Sequence, residues 1–313
     1  MKVLILGAGA VGGYFGGRLA QAGADVTFLV RPQRAQKLAQ SGLVIKSPLG
    51  DAQLPVRTVL QEAVRPDNDL VILSCKAYDL DASIASLAGA MGPDTLILPL
   101  LNGMAHLARL EQAFGRERVL GGTCYIASTV DADGRILHLS QFQGIKCGLR
   151  AGAHPHAKAL LQGLSQAYAK VSLDCTPSDN VEQDMWEKFV FLASLAAMTC
   201  LMRASVGEIL AAADGETLMR EALEACIAAA SAAGHAPRAE SLQRSQNMLF
   251  AHGATFTASM LRDMEAGGQV EADHIVGYML RSARAAGADT HVLTAAYCHL
   301  QAYEARRKRG TAA

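Results

Sequence analysis

Short apolar runs and amphipathic stretches alternate along the first half of the chain. Continuous apolar runs are typical of strands buried on both faces of a parallel sheet, whereas apolar positions three or four residues apart are typical of helices. The pattern predicts an α/β fold with a doubly wound, Rossmann-type parallel sheet. The predicted strands lie at residues 3–6, 25–30, 69–74 and 95–100, and the predicted helices at residues 14–22, 35–40, 81–90 and 105–114.

Closely spaced strands replace this alternation between residues 119 and 149. Turn signals at Asp133-Gly134 and Gln143-Gly144 separate them, and we expect these strands to extend the parallel sheet in antiparallel fashion. A hairpin, a helix and one last strand complete the predicted first domain. The strands of this region are expected at residues 123–130, 135–139 and 145–149, the hairpin at 43–45 and 54–56, the helix at 156–170 and the last strand at 171–175.

Strand signals nearly disappear beyond residues 176–180, a polar segment with a proline that suggests a linker. The remaining pattern is helical and rich in alanine and leucine. We therefore predict an N-terminal Rossmann-like domain at residues 1–177 and an all-α domain at residues 178–313, with a ligand site between them. The predicted helices lie at residues 185–202, 215–233, 238–252, 257–264, 273–286 and 292–307.

The charge and apolar content exclude several classes of protein. The formal net charge is zero, which argues against a broad surface for nucleic acid or an anionic membrane. The most apolar stretch, residues 189–202, is too short to span a bilayer and is flanked by Lys188 and Arg203. The first strand begins directly after Met1, so we expect no secretory signal.

Cysteine and histidine spacing gives no sign of disulfides or metal. The seven cysteines are scattered and odd in number, as is typical of reduced thiols in a cytoplasmic protein. His154 and His156 flank Pro155, which indicates a loop, and we predict no metal site.

The first strand continues into a G-x-G-x-x-G motif, which precedes a helix. Gly7 permits the tight turn, Gly9 leaves the backbone open to a pyrophosphate, and Gly12 lets the helix pack closely on the strand. Phosphates bind the free N–H groups at such a helix N-terminus. In this context the motif predicts a dinucleotide site at Gly7, Ala8, Gly9, Ala10, Val11 and Gly12, and a plain glycine-rich turn is the less favoured alternative.

The end of the second strand indicates which dinucleotide binds. A site for NAD usually places an acidic residue there, whereas this chain has Arg31, followed by Arg34. A guanidinium matches the 2′-phosphate of NADP in a bidentate way. We therefore expect NADP, with the alternative that both arginines are ordinary solvated charges.

Five further residues are candidates for chemistry. Lys76 and Asn102 follow the ends of predicted parallel strands, where ligands bind in open α/β sheets. Lys188 has apolar neighbours, which can make a lysine an effective proton donor. Ser259 and Glu271 flank the helix-breaking Gly267-Gly268. Taken singly, each has a plain structural alternative, such as a solvated lysine, an Asn-Gly turn or a first-turn acid.

Together these residues resemble the ketopantoate reductase (2-dehydropantoate 2-reductase) family. The resemblance spans nearly the whole chain, in order and spacing, and implies a Rossmann domain plus a helical domain. It also implies NADPH-dependent reduction of a 2-keto acid to a 2-hydroxy acid, most simply ketopantoate to pantoate in pantothenate biosynthesis. The matching positions are the glycine motif, Arg31, Lys76, residues 101–104, Trp186 with Lys188, residues 259–263, and Glu271 with Asp273.

By this resemblance, Lys188 is the general acid and Glu271 orients the substrate or the lysine. Ser259 contacts the substrate carboxylate, and Asn102 lies between the nicotinamide ribose and the substrate. The adenosine phosphate end of NADP is assigned to Arg31 and Lys76, and Ala127 is placed near the cofactor.

The chain departs from the family at three positions. Pantoate-using members carry asparagines where this chain has Leu192, Ala196 and Val206. Leu192 and Ala196 follow Lys188 on one helix face. Losing amide partners weakens recognition of a polar substrate, so we expect a more apolar 2-oxo acid, with Arg203 as a candidate for a new carboxylate contact.

Two other functions remain open at this point. One is another two-domain dehydrogenase acting on hydroxy acids or imines, and the other is a non-catalytic NADP-binding regulatory protein. The alanine-rich helices could support a homodimer, but no residue pattern determines the oligomeric state or the direction of the reaction.

Overall fold

A five-stranded parallel sheet forms the centre of the first unit. The computed structural model describes residues 1–310. The sheet has the order β5-β2-β1-β6-β7, which is the order of the first five strands in a Rossmann fold. Val3 of β1 lies opposite Val26 of β2 and Leu70 of β6. The strands are β1 (Lys2–Leu6), β2 (Asp25–Leu29), β5 (Arg57–Val59), β6 (Leu70–Leu73) and β7 (Leu96–Pro99).

Helix α1 (Ala10–Gln21) lies between this sheet and a second, four-stranded sheet. A Cβ at Gly16 would come within 2.7 Å of Ile5, and one at Gly17 within 2.7 Å of Leu43. Glycines on both faces of α1 therefore let two sheets approach it. The second sheet has the order β4-β3-β10-β9 and contains β3 (Leu43–Lys46), β4 (Ala52–Leu54), β9 (Ser128–Val130) and β10 (Ile136–His138).

A third sheet corrects one sequence-based prediction. Apart from one parallel bridge between Ile97 and Val119, the strands after residue 119 do not extend the parallel sheet as expected. Two of them join the predicted hairpin β3–β4, whose register pairs Leu43 with Leu54. The others form a separate sheet of order β12-β11-β8, made of β8 (Gly121–Tyr125), β11 (Gly144–Gly148) and β12 (Asp174–Ser178).

The last strand lies further along the chain than predicted. Residues Thr176, Pro177 and Ser178, expected in a linker, belong to β12 and pair with β11. The remaining helices of this unit surround its sheets. They are α2 (Pro32–Ser41), α3 (Leu80–Leu87), α4 (Ala105–Phe114) and α5 (Ala157–Ala169), with short 3₁₀ turns at Gln61–Ala63, Ala77–Asp79, Ala88–Ala90 and Arg116–Arg118.

The second unit consists of helices and loops, with no strand among its described residues. One of its helices was not predicted: α7 is short, and it begins at a capping box in which Ser205 and Glu208 satisfy each other's backbone N–H groups. The helices are α6 (Val181–Met202), α7 (Val206–Ala211), α8 (Gly215–Ala232), α9 (Ala239–Leu249), α10 (Ser259–Glu265), α11 (Tyr278–Ala285) and α12 (His291–Gly310), with a π-helical segment at Asp273–Gly277.

Contacts divide the chain into two compact units. The first comprises Met1–Leu101 and His106–Asp184, and the second comprises Asn102–Ala105 and the chain from Met185 onward. The short loop after β7 therefore belongs with the helices. Among the described residues, α6 is the one helix long and apolar enough to span a membrane, and 72% of its apolar window is buried inside the protein.

Candidate functional site

The glycine-rich loop leaves the N-terminus of α1 open. Gly7 has φ +84°, a conformation that favours glycine, and its N–H donates to Leu29 O at 2.8 Å. Gly9 is the N-cap of α1, and no acidic side chain lies in the first turn. A Cβ at Gly7 or Gly9 would meet no atom within 4 Å. The first N–H groups of α1, at Ala10 and Val11, are thus accessible to an anion.

Gly12 has a packing role. A Cβ at this position would overlap Ser74 Oγ, lie 3.0 Å from Gly7 O and lie 3.3 Å from Ile5. Of these, Ile5 belongs to β1 and Gly7 O to the turn after it, and both are rigid parts of the fold. Any larger residue at position 12 would therefore push α1 away from β1.

Arg31 and Arg34 differ sharply in their surroundings. The Arg31 side chain is 84% exposed and makes a loose ion pair of 4.0 Å with Asp79. Arg34 instead donates to Ala8 O and Gly134 O, both at 2.9 Å, and burial lowers the pKa of its guanidinium. The alternative that Arg34 is a solvated charge is wrong, because it ties the glycine-rich loop to the turn before β10.

Sequence reasoning missed this role of Arg34, since its partners are backbone carbonyls far along the chain. Two other predicted cofactor residues lie at loops of the first unit. Lys76 is half-buried in the loop that follows β6, and its carbonyl accepts from Asp79 N at 2.9 Å. Ala127 lies between β8 and β9, where its N–H donates to Ser140 Oγ at 3.2 Å.

Lys188 and Asn102, 86 positions apart in the chain, form a direct hydrogen bond. Lys188 Nζ donates to Asn102 Oδ1 at 3.2 Å, and both residues are half-buried. Gly103 makes the turn that presents Asn102, with φ +80°. A Cβ at Gly103 would lie 3.2 Å from His274 O and 3.4 Å from Phe189. The loop after β7 is therefore held against α6 and the π-helical segment.

Packing around Lys188 fixes its helix. Trp186 and Phe189, on either side of it, contact each other with ring centroids 5.8 Å apart. Glu187 is 5% exposed and accepts two hydrogen bonds of 2.7 Å from the Arg238 guanidinium. A buried carboxylate held by a bidentate arginine is a strong anchor. It joins α6 to the start of α9 and orients the turn that carries Lys188.

Glu271 and Ser259 occupy different settings. Glu271 is 9% exposed, and its carbonyl accepts from Ile275 N at 3.1 Å, at the start of the π-helical segment that packs against Gly103. Ser259 is the exposed first residue of α10. Its neighbour Ala258 donates to Thr199 Oγ1 at 3.4 Å, about three helical turns beyond Lys188. The structure does not bring Ser259 into the Lys188–Asn102 contact.

The three departures from the family pattern are not equivalent in the structure. Val206 is completely buried and Ala196 is 3% exposed, so both are core residues. Leu192 is half-buried, as is Phe191 beside it, and Leu192 lies one turn after Lys188. Leu192 is therefore the departure that can meet a ligand bound near the lysine.

Arg203 does not fit the suggested role of carboxylate contact. It follows the end of α6, in a left-handed conformation with φ +51°. The helical rise places its Cα roughly 20 Å beyond that of Lys188, whereas the carboxylate of a 2-oxo acid is bonded directly to the reacting carbonyl. Arg203 instead lies near His299 and Tyr303. Burial lowers the pKa of His299 and the charge of Arg203 adds to this effect, whereas burial raises the pKa of Tyr303 and the charge of Arg203 opposes it.

Comparisons with known proteins identify the family of this chain. The family model described as ketopantoate reductase PanE/ApbA matches residues 3–152, and its C-terminal counterpart matches residues 180–304. An uncharacterized oxidoreductase, YkpB of Bacillus subtilis (strain 168), is 35% identical over 311 residues, covering 98% of this chain and 100% of the relative.

Two solved structures share the fold. One is a PanE/ApbA family ketopantoate reductase from Ralstonia eutropha JMP134, with 24% identity, a TM-score of 0.86 and coverage of 98% of this chain and 100% of that chain. The other is a D-mandelate dehydrogenase with NADH and anilino(oxo)acetate, with 20% identity, a TM-score of 0.85 and the same coverage. Because the family models match both units, this chain belongs to the ketopantoate reductase family of oxidoreductases.

Proposed function

We propose that this protein reduces a 2-oxo acid with an apolar side chain to the 2-hydroxy acid, using NADPH. One observation carries the proposal. Lys188 is held by Asn102 at 3.2 Å, while the half-buried residues next to it on α6 are Phe191 and Leu192. The proton donor of the family thus has an amide partner on one side and an apolar surface on the other.

The residues of the first unit fit a dinucleotide phosphate. The open N-terminus of α1 and the uncovered Gly9 suit the pyrophosphate. Arg31, 84% exposed at the end of β2, suits the 2′-phosphate of NADP, where an NAD site would have an acidic residue. Lys76 and Ala127 complete the proposed cofactor contacts. When bound, the nicotinamide supplies the hydride for the carbonyl carbon.

Lys188 supplies the matching proton. Its ammonium group donates a hydrogen bond to the ketone oxygen and transfers the proton as the alkoxide develops, so that one 2-oxo acid, one NADPH and one proton give one 2-hydroxy acid and NADP⁺. Asn102 holds the ammonium group in position through its Oδ1. Glu271, buried at the start of the π-helical segment, orients the lysine or the substrate in this proposal.

Leu192 and Phe191 favour substrates with aliphatic or aromatic side chains. An amide that hydrogen-bonds a substrate hydroxyl discriminates strongly, and an apolar side chain cannot replace it. The D-mandelate dehydrogenase that shares the fold was solved with anilino(oxo)acetate, which is the type of molecule that such a surface would accept. Reduction of ketopantoate itself, in pantothenate biosynthesis, is the second candidate, favoured by the retained lysine and glutamate.

The seven cysteines are free thiols in the structure. We place the protein in the cytoplasm, where thiols stay reduced.

The proposal is tested by following NADPH oxidation with ketopantoate, branched aliphatic 2-oxo acids and aryl 2-oxo acids. Wild type is expected to turn over the apolar acids faster than ketopantoate. Lys188→Ala is expected to lower kcat about a thousandfold on every substrate, because general acid catalysis is lost. Its dissociation constant for NADPH should stay unchanged, since the lysine is not part of the phosphate site.

Lys158→Ala, which removes an exposed lysine of α5, is the matched control and should retain full activity. Tight NADPH binding without turnover of any 2-oxo acid would support a regulatory protein instead. Turnover that survives Lys188→Ala would overturn the assignment of the proton donor. Rapid turnover of ketopantoate alone would overturn the apolar substrate.

A further inference from the structure

Three potential metal ligands converge at the end of the parallel sheet opposite the glycine-rich loop. Asp94 lies just before β7, and His154 and His156 lie in the segment that enters α5. One donor atom from each residue lies within 4.8 Å of the other two. Sequence spacing predicted no metal site at these histidines, because the third ligand is sixty positions away in the chain.

The distances suit a shared ion better than a hydrogen-bonded cluster. His154 Nε2 lies 3.7 Å from Asp94 Oδ1, which is too long for a hydrogen bond. Two ligands of one tetrahedral zinc ion lie about 3.3 Å apart, as bonds of about 2.0–2.1 Å require. The rings of His154 and His156 have centroids 4.2 Å apart. Small side-chain rotations would bring the three donors to one ion.

The nitrogens of His154 are not committed to other partners. Its Nδ1 is buried and has no hydrogen-bond partner within the described residues. No hydrogen bond from Nδ1 therefore fixes the tautomer of this ring, and a lone pair is available to a metal.

The backbone around the three ligands is held firmly. His154 N donates to Glu117 O at 2.9 Å, and Arg118 donates to Gly92 O at 3.2 Å, two residues before Asp94. Both loops are therefore anchored to the same short 3₁₀ turn, Arg116–Arg118. A metal ion would therefore order only the side chains, so binding would cost little backbone conformational entropy.

A second histidine cluster provides the contrast. His291 lies 2.9 Å from Asp289 and 3.0 Å from Glu221, one carboxylate facing each ring nitrogen. The hydrogen bond with Asp289 and the two negative charges raise the pKa of this imidazole. The two carboxylates face different ring nitrogens, so they do not converge on one donor atom of His291. The two clusters have similar composition, but in the first cluster one donor atom of each residue comes together.

We propose that Asp94, His154 and His156 bind a divalent transition-metal ion, with Zn²⁺ as the preferred ion, as a stabilising site of the first unit. Two imidazoles and one carboxylate are ligands that zinc accepts, and solvent supplies the fourth. The ion would join the loop before β7 to the segment entering α5. The site lies at the amino-terminal end of β7, whereas dinucleotides bind at the carboxyl ends of such strands, so its role is structural.

The test uses untagged, chelator-treated full-length protein and ZnCl₂ in titration calorimetry, with Co²⁺ absorption as a spectroscopic probe. Wild type should bind one equivalent, and Zn²⁺ should raise its Tm. His154→Ala and His156→Ala should each weaken binding by at least about tenfold and abolish the Tm shift. NADPH binding by both variants checks that they are folded.

His291→Ala is the matched control and should bind zinc as wild type does. Failure of wild type to bind a saturable equivalent would overturn the proposal, as would binding that both histidine variants retain. Binding that disappears in Cys298→Ser, which removes an exposed thiol, would also overturn it by placing the ion elsewhere.

Discussion

The glycine-rich loop of the first unit and the Lys188–Asn102 pair of the second unit are assembled in opposite ways. The loop is one continuous segment, and its main outside support is Arg34, which donates to Ala8 O. The lysine and its partner are 86 positions apart in the chain, and the loop of Gly103 holds them together through contacts with α6 and the π-helical segment.

This difference separates what a cofactor requires from what a substrate requires. A pyrophosphate is bound by backbone N–H groups at one helix terminus, so a short motif suffices. A substrate is bound by side chains from several elements, and one changed side chain alters which molecule fits. The family's cofactor motif and lysine are present here, whereas Leu192 replaces the amide beside that lysine.

Arg31 is the position in the first unit where a substitution should change cofactor use most. Arg31→Asp should raise the KM for NADPH about 10- to 100-fold, because a charge-assisted contact worth about 1.5–3 kcal/mol is lost. It should improve the use of NADH, because an acidic residue suits the free ribose. Steady-state kinetics with both cofactors measure the change.

Arg34→Ala is the variant to compare with Arg31→Asp. It removes the support of Ala8 O and Gly134 O, which both cofactors need, so KM should rise for NADPH and NADH alike. A selective loss of NADPH in Arg34→Ala, with no change in Arg31→Asp, would show that Arg34 is the phosphate contact.

A smaller effect is expected at Gly103. Gly103→Ala forces a side chain into the left-handed region at φ +80°, which costs about 1–2 kcal/mol, and its Cβ would press on His274 O. We expect the displaced Asn102 to lower kcat about tenfold, as a barrier increase of similar size implies, with NADPH affinity unchanged.

Gly234→Ala is the matched control. Gly234 has φ +82°, and a Cβ added there would meet no atom within 4 Å, so its change adds the same backbone strain without the contact. Equal kcat values for the two variants would mean that the Asn102 loop does not position the lysine.

The smallest expected effect is the pH dependence of the stability of the first unit. His138 is buried against α1, and this burial lowers the pKa of its imidazole. Its Nε2–H donates to Phe142 O, which leaves Nδ1 to accept from Ser47 Oγ at 2.9 Å. The unfolded chain takes up the proton first as pH falls, near an ordinary pKa of about 6.5. Stability should therefore fall below that pH.

Thermal unfolding at pH 7.5 and at pH 5.5 measures this effect. Wild type should lose a few degrees of Tm at the lower pH, at roughly 2–4 °C per kcal/mol for a unit of this size. His138→Gln, which cannot be protonated, should be less stable at pH 7.5 but lose less on acidification. An identical pH dependence in both proteins would contradict the assignment.

The parallel sheet was predictable because its strands are continuous apolar runs. The start of α1 was not: the structure begins it at Ala10 rather than at residue 14. Four glycines in its first eight residues have low helix propensity, and tertiary packing overrides that preference because α1 lies between two sheets. Likewise the three sheets could not be separated, since strand pairing after residue 119 depends on distant partners such as Ile45, which pairs with Ile136.

The residues of the candidate site also fall into two groups, those that the sequence indicated and those that it did not. The glycine motif and Arg31 were proposed as cofactor contacts from local sequence, and Lys188 was proposed as the proton donor through a family resemblance. Arg34 and the Asp94–His154–His156 cluster were not, because their partners are backbone carbonyls or side chains that only folding brings together. Arg203 was misjudged because sequence proximity to Lys188 becomes a long separation along a helix.

We propose that the family's mechanism is retained here while its substrate has changed. The most direct test is the ratio of kcat/KM for ketopantoate to kcat/KM for an apolar 2-oxo acid. This ratio is measured in wild type and in Leu192→Asn. The asparagine restores the amide one turn after Lys188, so the ratio should rise at least about tenfold. Leu192→Met, which keeps an apolar side chain of similar volume, should leave it unchanged. A ratio that already favours ketopantoate in wild type and does not move in Leu192→Asn would contradict the proposed substrate class.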